Sequence, residues 1–157
     1  MTTAAHESTP TIGALVARFF SDVLNRQNVA AGDEILAPGF VVHHPAFREG
    51  TDGREIMGVF LAGFPDLHYD VEEIVVDGDR AVVHWRATGT HTGEFFQVAP
   101  TGRRVTVVGA DVFHAASGRL TTTWVNSDLF GLFYQLGEFP SMAFLRQHFG
   151  AAPIAPA

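Results

Sequence analysis

The chain contains no cysteine and no lysine among its 157 residues. Without cysteine there is no disulfide, no thiolate nucleophile, no iron–sulfur cluster and no cysteine-ligated zinc. Without lysine there is no Schiff-base lysine and no P-loop lysine, and all ten basic residues are arginine. These two absences exclude several classes of enzyme before any motif is considered.

Positive charge is also scarce, because 17 acidic residues outweigh the 10 basic ones and give a net charge of −7. An acidic surface repels phosphate, so we expect no nucleic-acid partner. The start, Met1 to Pro10, has no basic segment beside an apolar stretch. No uncharged apolar run approaches the roughly 18 residues of a membrane span, so we expect a cytoplasmic protein without membrane association.

The composition predicts one globular domain. Hydrophobic residues make up 46% of the chain and charged residues 17%, which is enough to build a full core. We predict a single domain over 11–150, with disordered ends at 1–10 and 151–157. A further stretch, 139–150, is expected to form a lid or an interface helix.

The first half of the chain shows helical periodicity and the second half shows strands. Thr9 is the predicted cap of a first helix, whose apolar stripe is Ile12, Leu15, Val16, Phe19, Phe20 and Val23. A short helix is predicted at 33–37, a strand at 40–45 and a third helix behind Asp52. Strands are predicted at 69–76, 80–91, 94–100, 104–115 and 119–128. Helices followed by antiparallel strands give an α+β fold.

Two aspartates on the predicted strands are candidates for acid–base chemistry. On strand 119–128, Trp124, Asn126 and Asp128 share a face with Leu120, and we expect that face to point inward. A carboxylate in an apolar pocket has a raised pKa and can act as a general acid or base. The alternative for Asp128 is a cap on the helix that starts behind it. Asp111 fits the same description less well, since alternation leaves open whether Asp111 or His114 faces inward.

Histidine and phenylalanine supply further candidates without fixing their roles. The histidines cluster as His43-His44, His84, His91 and His114, but no metal-binding spacing such as HExxH is present, so we expect no metal. Neither the GxSxG elbow nor GxGxxG is present, so we expect no serine nucleophile and no nicotinamide or flavin cofactor. The phenylalanine-rich helix faces, with Phe19 and Phe60, are either core or the lining of a pocket.

Several ordered motifs resemble those of the SnoaL-like polyketide cyclases, often called ester cyclases. They cover about residues 12–137 and read Phe64-Pro65-Asp66-Leu67, Gly89-Thr90-His91-Thr92-Gly93-Glu94, Pro100-Thr101-Gly102-Arg103, Gly118-Arg119-Leu120, and Trp124 to Gly137. The resemblance implies the fold of nuclear transport factor two and ketosteroid isomerase. In that fold, a cone-shaped α+β barrel, a curved antiparallel sheet wraps around three N-terminal helices and encloses an apolar cavity.

The same resemblance implies an activity and a set of site residues. The family's well-studied members close the last ring of aromatic polyketides by intramolecular aldol condensation, without metal or cofactor, in antibiotic biosynthesis. By resemblance Asp128 is the acid/base, with His43 and His114 as further catalytic candidates. The candidate substrate-binding residues are Trp124, Asn126, Asp111, His44, His91, Phe60 and Phe19.

Two histidines in that assignment need comment. His91 lies in the Gly-Thr-His-Thr-Gly motif, which serves the fold as much as the chemistry. His44 departs from many relatives, and a strand sends His43 and His44 to opposite faces. The resemblance also implies a homodimer or homotetramer acting on a small polyketide-like molecule. Because a fold does not fix a function, two alternatives stay open: another cofactor-free enzyme (isomerase, epoxide hydrolase or hydroxylase), or a non-catalytic binding module.

Overall fold

A computed structural model describes residues 10–139 together with 143, 146 and 147. The predicted disordered ends, 1–10 and 151–157, lie outside the described residues apart from Pro10, and so does most of 139–150. The elements, in order, are α1 (Ile12–Arg18, continued as a π-helix over Phe19–Asn25), α2 (Val29–Ile35), β1 (Leu36–His43), α3 (Gly53–Gly63), β2 (His68–Asp77), β3 (Arg80–Thr90), β4 (Arg104–Ala116), β5 (Arg119–Trp124) and α4 (Leu129–Leu136). The predicted α+β fold is confirmed.

The five strands form one curved, unclosed sheet in the order β1-β5-β4-β3-β2. Neighbouring strands are antiparallel except β1, which runs parallel to β5. Strand β3 shows the alternation that defines the two faces, because Ala81, Val83, Trp85 and Ala87 are buried while the residues between them are exposed. One face of the sheet is therefore packed against helices and the other is open to solvent.

The helices begin where side chains cap them and pack along their apolar stripes. Thr11, and not the predicted Thr9, caps α1 by accepting a hydrogen bond from the Ala14 backbone N–H at 3.3 Å. Asp52 caps α3 as predicted, accepting from the Arg54 N–H at 2.7 Å. The stripe of α1 is buried against the inner face of the sheet, as its spacing indicates. No helix in the described part of the chain is long and apolar enough to cross a membrane.

The buried side chains form two clusters. One lies between α1 and the sheet and includes Phe20, Val83 and Phe113. The other joins α4 to the segment that follows α3, and includes Phe64 and Phe95. Both clusters contribute to the wall of the cavity that is described below.

Two predictions about strands are wrong, namely the strand at 94–100 and the inward face of the last strand. Local geometry explains both. Residues 94–100 form a tight turn instead of a strand: Phe95 pairs with Val98, and the two residues between them have positive φ. In β5, Thr122 pairs with His114 while Leu120 pairs with Ala115, which leaves one extra residue between the two pairs. This bulge reverses the alternation of the last strand.

Because of the bulge, residues beyond it that were predicted to face inward lie on the outer face of the last strand. Leu120 and Thr123 are both buried although they are three residues apart. Trp124, Asn126 and Asp128 are exposed, and the strand ends at Trp124 instead of residue 128. The inward positions after the bulge are Thr123, Val125 and Ser127, which line the cavity.

Candidate active site

A cavity of about 820 Å³ lies between the helices and the inner face of the sheet. Its volume falls within the range of small-molecule sites, which runs from roughly 300 to 1,000 Å³. The helices contribute mainly apolar side chains, including Phe19, Val23, Phe60 and Leu61. The sheet contributes the side chains that can form hydrogen bonds or transfer protons. The cavity therefore combines an apolar helical wall with a polar patch on the strands.

Asp111 is the buried carboxyl group of that patch. Its residue is 6% exposed and lies on the inner face of β4. Oδ1 accepts a hydrogen bond from the Asn126 backbone N–H at 3.3 Å. Burial raises the pKa of Asp111 to about 6, with the Trp85 side chain and the Asn126 N–H acting weakly in the opposite direction. A carboxyl group that titrates near neutral pH can both accept and return a proton.

Trp85 reaches Asp111 because Gly109 leaves room for its ring. The two residues are paired across β3 and β4, and a Cβ on Gly109 would overlap the indole. The ring therefore lies over Gly109 of β4, which is two residues before Asp111 and on the same face of the sheet. Its N–H makes no well-aligned hydrogen bond within the described residues, but it is near enough to Asp111 to favour the ionised carboxylate.

Tyr69 completes this patch from β2, next to β3. Its ring packs edge-on against Phe20 and Trp85, with centroid distances of 5.7 and 5.2 Å. Burial, and secondly the negative charge of Asp111, raises the pKa of Tyr69 well above its usual range. Tyr69, Trp85 and Asp111 thus lie on three adjacent strands and line the same cavity.

His44 lines the cavity from the segment after β1. It is 7% exposed, and its Nδ1 accepts a hydrogen bond from the Ala46 N–H at 3.2 Å. Burial lowers the pKa of His44 to about 4. The ring is therefore neutral at neutral pH and carries its proton on Nε2. Of the two adjacent histidines, His44 is the one that reaches the cavity.

Three predicted residues lie together on the outer face of the sheet. His43 stacks on Trp124 with a centroid distance of 4.8 Å, and His114 packs against the same indole at 4.8 Å. His43 Nδ1 also lies 2.8 Å from Glu49 Oε1. None of these three rings is among the residues that line the cavity. The structure therefore gathers them around the 37%-exposed Trp124, away from Asp111.

The other predicted residues take structural positions. His91 is fully buried, and its Nδ1 lies 3.0 Å from Thr101 Oγ1 and accepts from the Thr101 N–H at 3.2 Å. Asn126 offers Asp111 its backbone N–H while the residue itself is exposed. Asp128 is exposed and caps α4 by accepting from the Gly131 N–H at 2.7 Å. The structure thus gives Asp128 the capping position that the sequence left as the alternative.

A second polar group in the lining surrounds the end of α2. The Arg119 guanidinium donates to the backbone carbonyls of Asp33 and Leu36 at 2.8 and 3.0 Å. Arg54 and Asp33 form an ion pair at 3.2 Å. The ion pair and the hydrogen bonds of Arg119 to the backbone both tie α2 to its neighbours. Among the described residues, no group of three or more His, Cys, Asp or Glu side chains is arranged to hold a metal ion.

Sequence reasoning placed Phe19, Phe60, His44 and Asp111 among the candidates, and all four line the cavity. It missed Tyr69, Trp85, Thr123, Val125 and Ser127. The alternation of β3 was a usable signal for Trp85. No signal marked the inward residues of the last strand, because they depend on the bulge.

The chain is similar to proteins of one known family. A family model described as SnoaL-like polyketide cyclase matches residues 14–136. A comparison with curated proteins gives no match.

Several solved structures are similar to the chain. AclR from Streptomyces galilaeus, a candidate hydroxylase, is 27% identical, with 83% of each chain covered and a TM-score of 0.72. A SnoaL-like candidate polyketide cyclase from Jannaschia sp. CCS1 is 29% identical over 78% of this chain and 88% of its own, with a TM-score of 0.71. IdmH from Streptomyces antibioticus, a candidate polyketide cyclase, is 29% identical over 80% of this chain and 97% of its own, with a TM-score of 0.70.

Proposed function

The chain belongs to the SnoaL-like polyketide cyclase family, and on that premise we propose that it closes a ring in a polyketide-like substrate by an intramolecular aldol reaction. The cavity binds the substrate, and Asp111 transfers the proton. The observation that carries the proposal is a carboxyl group with a pKa raised to about 6, buried in the wall of an apolar cavity of about 820 Å³.

The reaction uses one group in two protonation states. The Asp111 carboxylate removes a proton from a carbon that lies between carbonyl groups, and the resulting enolate attacks a second carbonyl of the same molecule. A C–C bond forms, and the new alkoxide receives the proton from the Asp111 carboxylic acid. The carboxylate is then regenerated. Acid–base assistance of this kind contributes about 10²–10⁴-fold in rate.

The aromatic wall contributes by holding the substrate folded. An intramolecular reaction is fast when the two reacting carbons are held within reach, because binding then supplies the entropy cost of bringing them together. Phe19, which follows α1, and Phe60, on α3, contribute aromatic rings to the cavity lining. Neutral His44 adds a hydrogen-bonding ring to this wall without adding a charge.

Asp111 is preferred over Asp128 for a physical reason. Asp128 is exposed, accepts the α4 N–H and lies outside the cavity lining, so water and the helix solvate its charge. Burial makes a carboxylate a stronger base, and of the two aspartates Asp111 is the buried one. The family assignment of the acid/base to Asp128 is therefore replaced, in this proposal, by Asp111.

Two matched variants test the assignment. The assay uses a probe polyketide that carries an enolisable carbon between two carbonyl groups and a further carbonyl within reach of that carbon, and cyclisation is followed by absorbance and mass spectrometry. Asp111→Asn should lower kcat by about 10²-fold or more, because the amide cannot take up the proton. Asp128→Asn should keep kcat near the wild-type value, because asparagine caps a helix as well as aspartate does. The reverse pattern would transfer the role to Asp128.

A further inference from the structure

We propose that the Tyr69 hydroxyl donates a hydrogen bond to the substrate oxygen that becomes negatively charged when the proton is removed. This inference rests on the proposed function, since it assigns a second group to the same reaction. It concerns a residue that the sequence did not single out. The support comes from the position of the ring, the state of its hydroxyl and the chemistry of the step.

The ring of Tyr69 is held in a fixed position. The side chain of Asn25 brackets its backbone: Asn25 Nδ2 donates to the Tyr69 carbonyl at 2.8 Å, and the Tyr69 N–H donates to Asn25 Oδ1 at 2.8 Å. Phe20 and Trp85 then contact the ring edge-on, at centroid distances of 5.7 and 5.2 Å. A donor held in this way does not need to reorganise when charge appears on the substrate.

The hydroxyl of Tyr69 is available for a ligand. Within the described residues it makes no hydrogen bond to another residue, although tyrosine hydroxyls inside proteins usually have a partner. Tyr69 is one of the residues that line the cavity, and burial together with the charge of Asp111 raises the pKa of its hydroxyl well above the usual range. The group therefore stays protonated near neutral pH and keeps a hydrogen that it can donate.

The chemistry of the step requires such a donor. When the Asp111 carboxylate takes the C–H proton, the electron pair moves into the substrate and the carbonyl oxygen becomes an enolate oxygen. Asp111 is then neutral, so the negative charge has moved from the protein to the substrate. Tyr69 keeps its own proton and stabilises the enolate by a hydrogen bond. Charge-assisted hydrogen bonds of this type are about twice as strong as neutral ones.

Tyr69→Phe tests the inference, and Tyr134→Phe is the matched control. These are the only two tyrosines of the chain, and Tyr134 is 64% exposed on α4, away from the cavity. Tyr69→Phe should lower kcat by about 10²-fold, as expected for the loss of one donor to a developing oxyanion. KM should change by less than about 3-fold, because the hydrogen bond strengthens mainly in the transition state. Tyr134→Phe should leave both unchanged.

A binding measurement gives a second readout that needs no turnover. 2-Naphthol resembles an enol, and 2-methylnaphthalene has nearly the same shape without the oxygen. In fluorescence titrations, Tyr69→Phe should weaken 2-naphthol by about 5-fold, the usual effect of losing one hydrogen bond, and leave 2-methylnaphthalene unchanged. Equal weakening of both ligands, or of neither, would overturn the inference.

The outcomes separate this inference from the proposed function. If Asp111→Asn abolishes turnover and Tyr69→Phe does not reduce it, Tyr69 has no role in charge stabilisation and the proposed function stands. If Asp111→Asn keeps wild-type turnover, the proposed function fails, and the naphthol comparison still decides whether Tyr69 binds oxygen ligands. Unfolding curves of Tyr69→Phe that match the wild type show that its effects do not come from loss of the fold.

Discussion

Replacing Asp111 by asparagine should change how the stability of the protein depends on pH. In the folded protein the pKa of Asp111 is raised to about 6, against an ordinary value of 3.8, because the carboxyl group is buried. Ionising the carboxyl group therefore costs about 3 kcal/mol more in the folded state than in the unfolded state, at 1.36 kcal/mol for each unit of pKa. The folded state holds this proton more tightly than the unfolded state. The cost is absent below the unfolded pKa and complete above the folded one, so it lowers stability as pH rises from about 4 to about 6.

His44 has the opposite effect over nearly the same pH range. Burial lowers its pKa to about 4, so its neutral form is favoured in the folded protein and stability is lost as pH falls from about 6.5 to about 4. In the wild type the two effects oppose each other. Tyr69, which faces Asp111, stays protonated throughout this range. In Asp111→Asn the opposing effect of Asp111 is removed, while the lowered pKa values of His44, His91, Asp22 and Asp66 remain, so the stability of the variant should rise with pH.

Urea denaturation at about pH 4 and about pH 7.5 measures this difference. Relative to the wild type, Asp111→Asn should gain about 2.5 kcal/mol of unfolding free energy between the two pH values. Asp79→Asn, which removes an equal charge from an exposed turn, is the control and should show no such change. A difference between Asp111→Asn and wild type that stays constant within about 0.5 kcal/mol would refute the buried, proton-binding carboxyl.

Three further predictions concern the scaffold. Gly93→Ala should destabilise the protein by more than about 2 kcal/mol in urea denaturation, because the new Cβ would overlap the Ala62 carbonyl. Gly58→Ala is the control and should be neutral or stabilising, because a Cβ at that position of α3 meets open space. Asp128→Ala should cost about 1 kcal/mol through loss of the α4 cap, checked in the same assay, with kcat retained. The expected homodimer or homotetramer stays a prediction: Val82→Arg, on the exposed sheet face, should give monomers in sedimentation velocity, and a monomeric wild type would contradict it.

Helices α1 and α3 were predictable because their signals are local, whereas α2 spans Val29–Ile35 instead of the predicted 33–37. The stripe of α1 and the Asp52 cap of α3 depend on residues within a few positions of one another, and both are present in the structure. The error at the start of α1, Thr9 in place of Thr11, is a shift of two residues between chemically equivalent caps. Local patterns therefore gave the fold class and the helical wall of the cavity.

The inward face of the last strand was not predictable in the same way. One extra residue between the pairs Leu120–Ala115 and Thr122–His114 changes the side of every residue that follows. Nothing in the local sequence distinguishes a run of three threonines with a bulge from the same run without one. The assignment of Trp124 and Asp128 to the cavity failed for this reason.

The position of Asp111 depended on a neighbouring strand. Both faces of β4 are apolar, with Val107 on one and Val108 on the other, so its own alternation does not choose between Asp111 and His114. Strand β3 does alternate clearly, and its pairing places Trp85 opposite Gly109. Asp111 is then on the inner face, two residues from Gly109. That step needs the strand register, which is a tertiary property.

The central claim is that Asp111, and not Asp128, is the proton-transfer group, and carboxyl-carbon NMR titration tests it most directly. The resonances are assigned by their loss in Asp111→Asn and Asp128→Asn. The account predicts that the Asp111 carboxyl titrates with a pKa of about 6, well above the ordinary value of 3.8. An Asp111 pKa at or below about 4 would mean a solvated carboxylate and would contradict the claim.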